Sequence, residues 1–278
     1  MSYKKILTVQ DISCVGQCSL TVALPILSAC GMETCILPSA VLSTHTAGFS
    51  GFTFRDLTDD IPAISSHWQK ENIKFDSIYT GYLGSTKQID YVKDLFSNVS
   101  ADKCIKIVDP AMADNGKLYP AFDETYVEAM KTLCAEADIL LPNITEACFL
   151  TGTEYKTEYD QTYIKKLTEK LKALGAKTIV LTGVSFKEGK TGIYVNEEKN
   201  SNYYEHDKVS NGCHGTGDVY ASAFVGALMN DKTIFEAAKI AADYTVKCIE
   251  ITQNDPTHWY GVKFEAVLPT LIKMLNLN

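Results

Sequence analysis

The sequence has no C-x-x-C pair, no excess of basic residues and no stretch near the ~20 consecutive apolar residues of a membrane span. Each absence excludes a class. Lysine and arginine number 26 against 34 aspartate and glutamate, a net charge of −8, so the basic footprint of a nucleic-acid or anionic-membrane binder is missing. A small-molecule partner is the expectation, with no nucleic acid and no membrane. Cys14 and Cys18 have no matching cysteine or histidine pair to complete a zinc site. The nine cysteines are odd in number, and Cys104, Cys148 and Cys248 lie in apolar runs, which reads as free thiols in a reducing compartment. The first residues carry two lysines and only a short apolar run before Asp11, unlike a signal peptide, so the expectation is cytoplasmic. No internal repeat, low-complexity tract or linker interrupts the chain, so 1–278 reads as a single domain. At this length a chain buries roughly 75% of its unfolded surface and needs no disulfide or structural metal.

What is present is an alternation of short β-branched runs with longer amphipathic ones, the pattern of an α/β protein with a mainly parallel sheet covered by helices. Strands are expected over 6–10, 34–42, 77–80, 105–109, 138–141 and 178–182. Helices are expected over 19–29, 61–71, 86–98, 124–135 and 159–174. The last is the cleanest, with Ile164, Leu167, Leu171 and Leu174 on one face and Gly175 as its stop. Beyond 182 the pattern becomes two antiparallel strands around a polar turn over 189–209. A glycine-rich loop then opens a helix over 219–229, and helices over 234–251 and 264–275 follow. The segment 44–60 is glycine-rich, aromatic and aperiodic, a candidate lid or substrate-contacting loop.

Two glycine-rich stretches compete as phosphate sites. The first, 183–191, resembles a Walker loop but has five residues between its glycines rather than four, and a strand follows it. It reads as a turn. The second, Asn211-Gly212-Cys213-His214-Gly215-Thr216-Gly217-Asp218, does open a helix, where backbone N–H groups and the helix dipole favour an anion. Asp218 falls in the first helical turn. A capping aspartate is the plain alternative, worth about 1 kcal/mol, but a cap alone has no need of three glycines.

Carboxylates also cluster by strand order. Asp109 ends one strand, with Asp114 soon after; Asn143 and Glu146 follow the next. Residues beyond the C-terminal ends of parallel strands line the crevice where open α/β sheets bind ligands, and oxygen ligands of this kind suit Mg²⁺. Turn and helix-start chemistry explains each residue singly; together they favour a metal–nucleotide site. His45, between Thr44 and Thr46, falls on the same crevice, while His67 and His206 read as surface residues and His258 as a turn residue. His214 lies inside the glycine loop.

The ordered set V-Q-D-x-S-C-V-G near the start, S-T-H-T at 43–46, T-G-Y-L-G-S at 80–85, D-P-A-M at 109–112, P-N-x-T-E at 142–146, V-L-T-G at 180–183 and G-T-G-D at 215–218 resembles the pyridoxal kinase family of the ribokinase-like superfamily. The resemblance spans nearly the whole chain. It implies a ribokinase-like three-layer sandwich and ATP-dependent phosphorylation of the 5′-hydroxymethyl group of a vitamin B6 vitamer. It also implies Mg²⁺, with a monovalent cation as a further candidate, and a homodimer.

By the same resemblance Asp218 matches the catalytic base, and Gly215, Thr216 and Gly217 match the anion hole. Asp109, Asp114 and Glu146 match acidic positions near Mg²⁺–ATP. Asn143, Thr182 and Gly183 match nucleotide positions, while His45, Thr46 and Tyr82 match the lining of the pyridine pocket. Two departures stand out. Asp11 occupies a ring-contacting position where the family commonly has serine, which implies a preference for the cationic vitamer pyridoxamine. Leu141 replaces a threonine often found before Pro-Asn, removing a hydroxyl near the nucleotide phosphates. A hydroxymethylpyrimidine kinase of the same superfamily and a non-catalytic vitamer- or nucleotide-binding protein remain alternative readings.

Overall fold

The computed structural model describes residues 3–209 and 214–277; Asn211, Gly212 and Cys213 of the glycine-rich loop lie outside them. In chain order the elements are β1 (Lys5–Ser13), α1 (Leu20–Ala29), β2 (Glu33–Leu42), β3 (Phe54–Asp56), α2 (Ile61–Lys70), β4 (Phe75–Thr80), α3 (Thr86–Asn98) and β5 (Ser100–Val108). A small hairpin of β6 (Ala113–Asp114) and β7 (Lys117–Leu118) precedes α4 (Glu124–Cys134), β8 (Ile139–Leu140), α5 (Ile144–Thr151) and α6 (Gln161–Ala173). Then come β9 (Thr178–Val184), β10 (Lys190–Asn196), β11 (Ser201–Asp207), α7 (Thr216–Met229), α8 (Ile234–Thr252), a 3₁₀ turn (Phe264–Val267) and α9 (Leu268–Met274).

Nine strands form one sheet in the order β11-β10-β9-β8-β5-β4-β1-β2-β3. The run from β2 to β9 is parallel, and β3, β10 and β11 add antiparallel edges. Strand alternation splits the core in two. Leu7, Ile78, Val108, Leu140 and Ile179 face one layer with α3, α4 and α6, whereas Ile6, Tyr79, Ile107, Ile139 and Val180 face α1, α7 and α8. This is the expected three-layer α/β sandwich. No helix among the described residues is long and apolar enough to cross a membrane.

Several elements differ from the sequence expectation for physical reasons. The 44–60 segment is not wholly irregular, because β3 pairs with β2 through Ala40–Leu42 at the sheet edge. Helix α5 has no polar face to betray it: Ile144 through Cys148 are all buried, and a capping box between Asn143 and Glu146 fixes its start. The last expected helix divides into a 3₁₀ turn and α9, where Pro269 occupies the first helical turn and donates no N–H. The 183–191 stretch does join two antiparallel strands, β9 and β10.

Candidate active site

Asp218 lies in the first turn of α7. The helix starts after Gly215, whose φ of 75° is a left-handed conformation that favours glycine. A Cβ at 215 would also sit 2.2 Å from the Gln17 carbonyl oxygen. Gly215 thus lets α7 close onto the loop before α1, and that closure brings the Ser19 backbone N–H to Asp218 Oδ2 at 3.0 Å. Open space surrounds the position a Cβ would take at Gly217, so an anion has room beside the amides at the positive end of the helix. Burial raises the Asp218 carboxyl to about 6 despite the opposing Ser19 hydrogen bond, and nearby Asp11 pushes it the same way. Such a carboxyl is ionised near neutrality and basic enough to accept a proton.

Two further carboxylates approach from neighbouring strand ends. Asp109 follows β5, and its Oδ1 accepts from the Ala111 N–H at 3.1 Å. Burial, then the charges of Glu146 and Asp218, hold it well above the usual carboxylate range. Glu146 is pushed up to about 7 by burial; its Oε1 accepts from Met112 N–H at 3.0 Å and its Oε2 from Asn143 N–H at 2.9 Å. No ion pair among the described residues engages Asp109, Glu146 or Asp218. The only arginine in the chain, Arg55, is exposed on edge strand β3. Acidic groups that repel one another and have no basic partner suit a hard divalent cation.

Within the expected trio, Glu146 acts by charge on Asp109 and Asp114 acts by charge on Glu146. Asp114 is exposed at the β6–β7 turn, where Asn115 at φ 50° and Gly116 at φ 77° fold the chain back, and its oxygens accept from the Asn115 backbone and side chain at 2.8 and 2.9 Å. Among the described residues no three His, Cys, Asp or Glu side chains are grouped to hold an ion by themselves. Asp218 adds to Glu146 in raising Asp109, and Asp114 adds to the rise at Glu146.

At the expected nucleotide positions, Asn143 and Thr182 bridge adjacent strand ends. The Asn143 amide is occupied internally: Oδ1 caps the Glu146 N–H at 2.9 Å and Nδ2 donates to the Ala113 carbonyl at 2.8 Å. Thr182 donates through N–H and Oγ1 to the Pro142 carbonyl at 2.9 and 3.3 Å. Gly183, at φ 73°, adjoins open space. Leu141 is buried in the core layer of α1 and α7.

On the opposite side, Asp11 is 5% exposed and its Oδ2 accepts from Ser13 Oγ at 2.9 Å. Burial raises its carboxyl, while hydrogen bonds from Ser19 and Ser13 oppose the rise. Tyr82 is half-buried, its ring centroid 5.4 Å from that of Phe122, and its hydroxyl is pushed up to about 12 by burial with Asp11 nearby. Thr46 is exposed. His45 is buried with both ring nitrogens engaged: Nδ1 accepts from Ala47 N–H at 3.1 Å, which leaves Nε2–H to donate to the Tyr260 carbonyl at 2.7 Å. It offers a ligand ring surface rather than a free nitrogen.

Sequence reasoning gave no role to Gln17, Ser19 or the segment around 258–260. Gln17 accepts from His258 Nε2 at 2.7 Å and donates to Glu265 at 2.8 and 2.9 Å. Trp259 packs on Phe49 with ring centroids 4.6 Å apart, joining the C-terminal region to the 44–60 segment. These contacts link positions more than 200 residues apart, and no local pattern announces them.

The sequence profile of the phosphomethylpyrimidine kinase family matches residues 27–262. The chain belongs to this kinase family. A candidate phosphomethylpyrimidine kinase from Bacteroides thetaiotaomicron VPI-5482, crystallised with pyridoxal, is 35% identical to this kinase. The match covers 97% of this chain and 96% of that one, with a TM-score of 0.92. The pyridoxal kinase of Lactobacillus plantarum is 30% identical over 98% of both chains, with a TM-score of 0.90. Pyridoxal kinase from Dictyostelium discoideum is 27% identical over 82% of this chain and 80% of its own length. The kinase therefore has the ribokinase-like α/β fold.

Proposed function

We propose that this kinase uses ATP to phosphorylate the 5′-hydroxymethyl group of a vitamin B6 vitamer. The observation that carries this reading is the placement of Asp218, held by the Ser19 amide at the start of α7, with open space beside Gly217 and with Asp11 close enough to perturb its carboxyl. The pyridoxal bound to the Bacteroides relative supports the acceptor class.

In the proposed transfer the acceptor hydroxyl oxygen attacks the γ-phosphorus of ATP and the bond to the β,γ-bridging oxygen breaks, releasing ADP. The hydroxyl proton passes to Asp218. Backbone amides of Gly215, Thr216 and Gly217 stabilise charge on the phosphoryl group in transit. Asp109, backed by Glu146, would hold Mg²⁺, which when bound neutralises phosphate charge. The amides and the cation share that task.

Asp11 sets the vitamer preference. A buried carboxylate in no ion pair among the described residues favours a cationic group, so pyridoxamine is the preferred acceptor. ATP consumption with Mg²⁺ across pyridoxal, pyridoxine, pyridoxamine and hydroxymethylpyrimidine tests the reading. The expected order puts pyridoxamine first. A kcat/KM for pyridoxal equal to or above that for pyridoxamine removes Asp11 from this role. Turnover of hydroxymethylpyrimidine alone replaces the vitamer reading with the pyrimidine reading that the family's description favours. Exchange of potassium for sodium in the same assay tests the monovalent cation, and sedimentation tests the homodimer. The free thiols of the described cysteines agree with a cytoplasmic setting.

A further inference from the structure

Ser19 is where the two carboxylates of the acceptor side meet. Its N–H donates to Asp218 Oδ2 at 3.0 Å, and its backbone pairs in an isolated β-bridge with Ile12, the neighbour of Asp11, which brings its hydroxyl close enough to the Asp11 carboxyl to favour the charged form. Its carbonyl accepts from the N–H groups of Val22 and Ala23 at 3.0 and 2.9 Å, anchoring the first turn of α1. The amide and the carbonyl of one residue are therefore committed, and its hydroxyl lies on the Asp11 side.

The backbone confirms that this arrangement is imposed by its surroundings. A serine directly before a helix ordinarily turns its hydroxyl onto an N–H of the first turn, which contributes about 1 kcal/mol. Ser19 makes no such cap, although it occupies the capping position. It also adopts φ 56° and ψ −129°, a conformation that suits glycine and costs other residues about 1–3 kcal/mol. It is only 5% exposed. A residue that forgoes its cap and holds a strained backbone persists where tertiary contacts over-determine it, and here those contacts are Asp11 and Asp218.

The geometry points to Ser19 as a positioning residue that couples the acceptor-side carboxylate Asp11 to the base Asp218 through a single rigid peptide. The hydroxyl reports the placement of Asp11, and the amide fixes Oδ2 of Asp218. Contact of an acceptor with Asp11 thus aligns the base with the hydroxyl it deprotonates. The inference rests on Asp218 acting as the base in the proposed transfer.

Ser19→Gly keeps the amide, removes the hydroxyl and suits the backbone angles, so it raises the thermal midpoint. Ser19→Ala removes the hydroxyl and keeps the strain. In both variants kcat falls about tenfold to a hundredfold, the scale of a misplaced reacting group, while KM for ATP stays within about twofold. In an Asp11→Asn background the same Ser19→Gly change costs less than about threefold, because the coupling is already broken. A kcat within about twofold of wild type in both single variants overturns the inference, as does an equal loss with and without Asp11. The gain in stability of Ser19→Gly separates this loss from misfolding. Rates are compared on whichever alcohol the wild-type enzyme phosphorylates, so a wrong vitamer assignment shows in the wild-type panel and not in these ratios.

Discussion

His45 and Tyr260 are joined by a 2.7 Å hydrogen bond from the imidazole Nε2 to the backbone carbonyl, across 215 positions of sequence. The other ring nitrogen accepts from Ala47 N–H, so the pair requires a neutral ring. Burial depresses the His45 pKa below its ordinary value of 6.5. The stabilisation is therefore complete above that value and is lost as pH falls through the lower folded value. His45→Gln is expected to destabilise the kinase by about 1–2 kcal/mol at pH 8, the cost of a lost buried hydrogen bond. The gap to wild type narrows toward pH 5.5. Thermal midpoints across that range check it, and a gap independent of pH contradicts it.

The carboxylates respond with the opposite sign. Asp109 is raised well above the usual range, and Glu146 and Asp218 are raised to about 7 and about 6. Their folded values exceed the unfolded ones, so their contribution is favourable in acid and is lost as pH rises, through about 6–7 for Asp218 and Glu146. Asp109→Asn should be more stable than wild type at pH 8, with the difference vanishing near pH 4. Mg²⁺ at pH 8 should raise the midpoint of wild type more than that of the variant. An Asp109→Asn protein less stable than wild type at every pH would count against the repulsion.

Gln88 is 1% exposed and spans three segments. Its Nε2 donates to Thr58 Oγ1 at 2.8 Å and to the Ser39 carbonyl at 3.0 Å, and its Oε1 accepts from Gly84 N–H at 2.7 Å. Ser39 Oγ in turn donates to the Tyr82 carbonyl at 3.2 Å. Gln88→Leu leaves the Gly84 N–H without its acceptor and the Ser39 carbonyl without this donor, and is expected to cost about 2–3 kcal/mol. It also loosens the loop that carries Tyr82, so acceptor KM rises several-fold while ATP KM does not. Equal changes in both constants would assign Gln88 a purely structural role.

The two glycines of the proposed anion hole differ in what surrounds them. Gly215→Ala meets both the left-handed φ and the Gln17 carbonyl, so stability falls by about 2 kcal/mol or more and activity falls with it. Gly217→Ala meets nothing within 4 Å, so its stability stays within about 0.5 kcal/mol while ATP KM rises. Denaturation and steady-state kinetics on the pair check this, and a Gly217→Ala variant with unchanged ATP KM would place the anion elsewhere.

The sheet and its two helix layers are legible in the sequence because each strand alternates between two buried cores and most helices keep a polar face. The pattern fails where length or burial removes periodicity. Edge strand β3 is three residues long and exposed throughout, β6 and β7 are only two residues long each, and α5 is buried along nearly its whole length. At the site, Asp218, Gly215 and the strand-end acids are legible because helix starts and strand ends are local signals. Ser19 is not, since its contact with Asp218 depends on α7 arriving 199 residues later. The same holds for His45, whose Nε2 is occupied by the Tyr260 carbonyl 215 positions away.

Formation of phosphorylated vitamer by wild type and Asp218→Asn, measured side by side with ATP affinity, tests the proposed chemistry most directly. Wild type is expected to phosphorylate pyridoxamine, and the variant to lose about 10³-fold in kcat, within the range for removal of a general base, while binding ATP within about threefold of wild type. A variant that retains kcat within about tenfold of wild type would contradict Asp218 as the base.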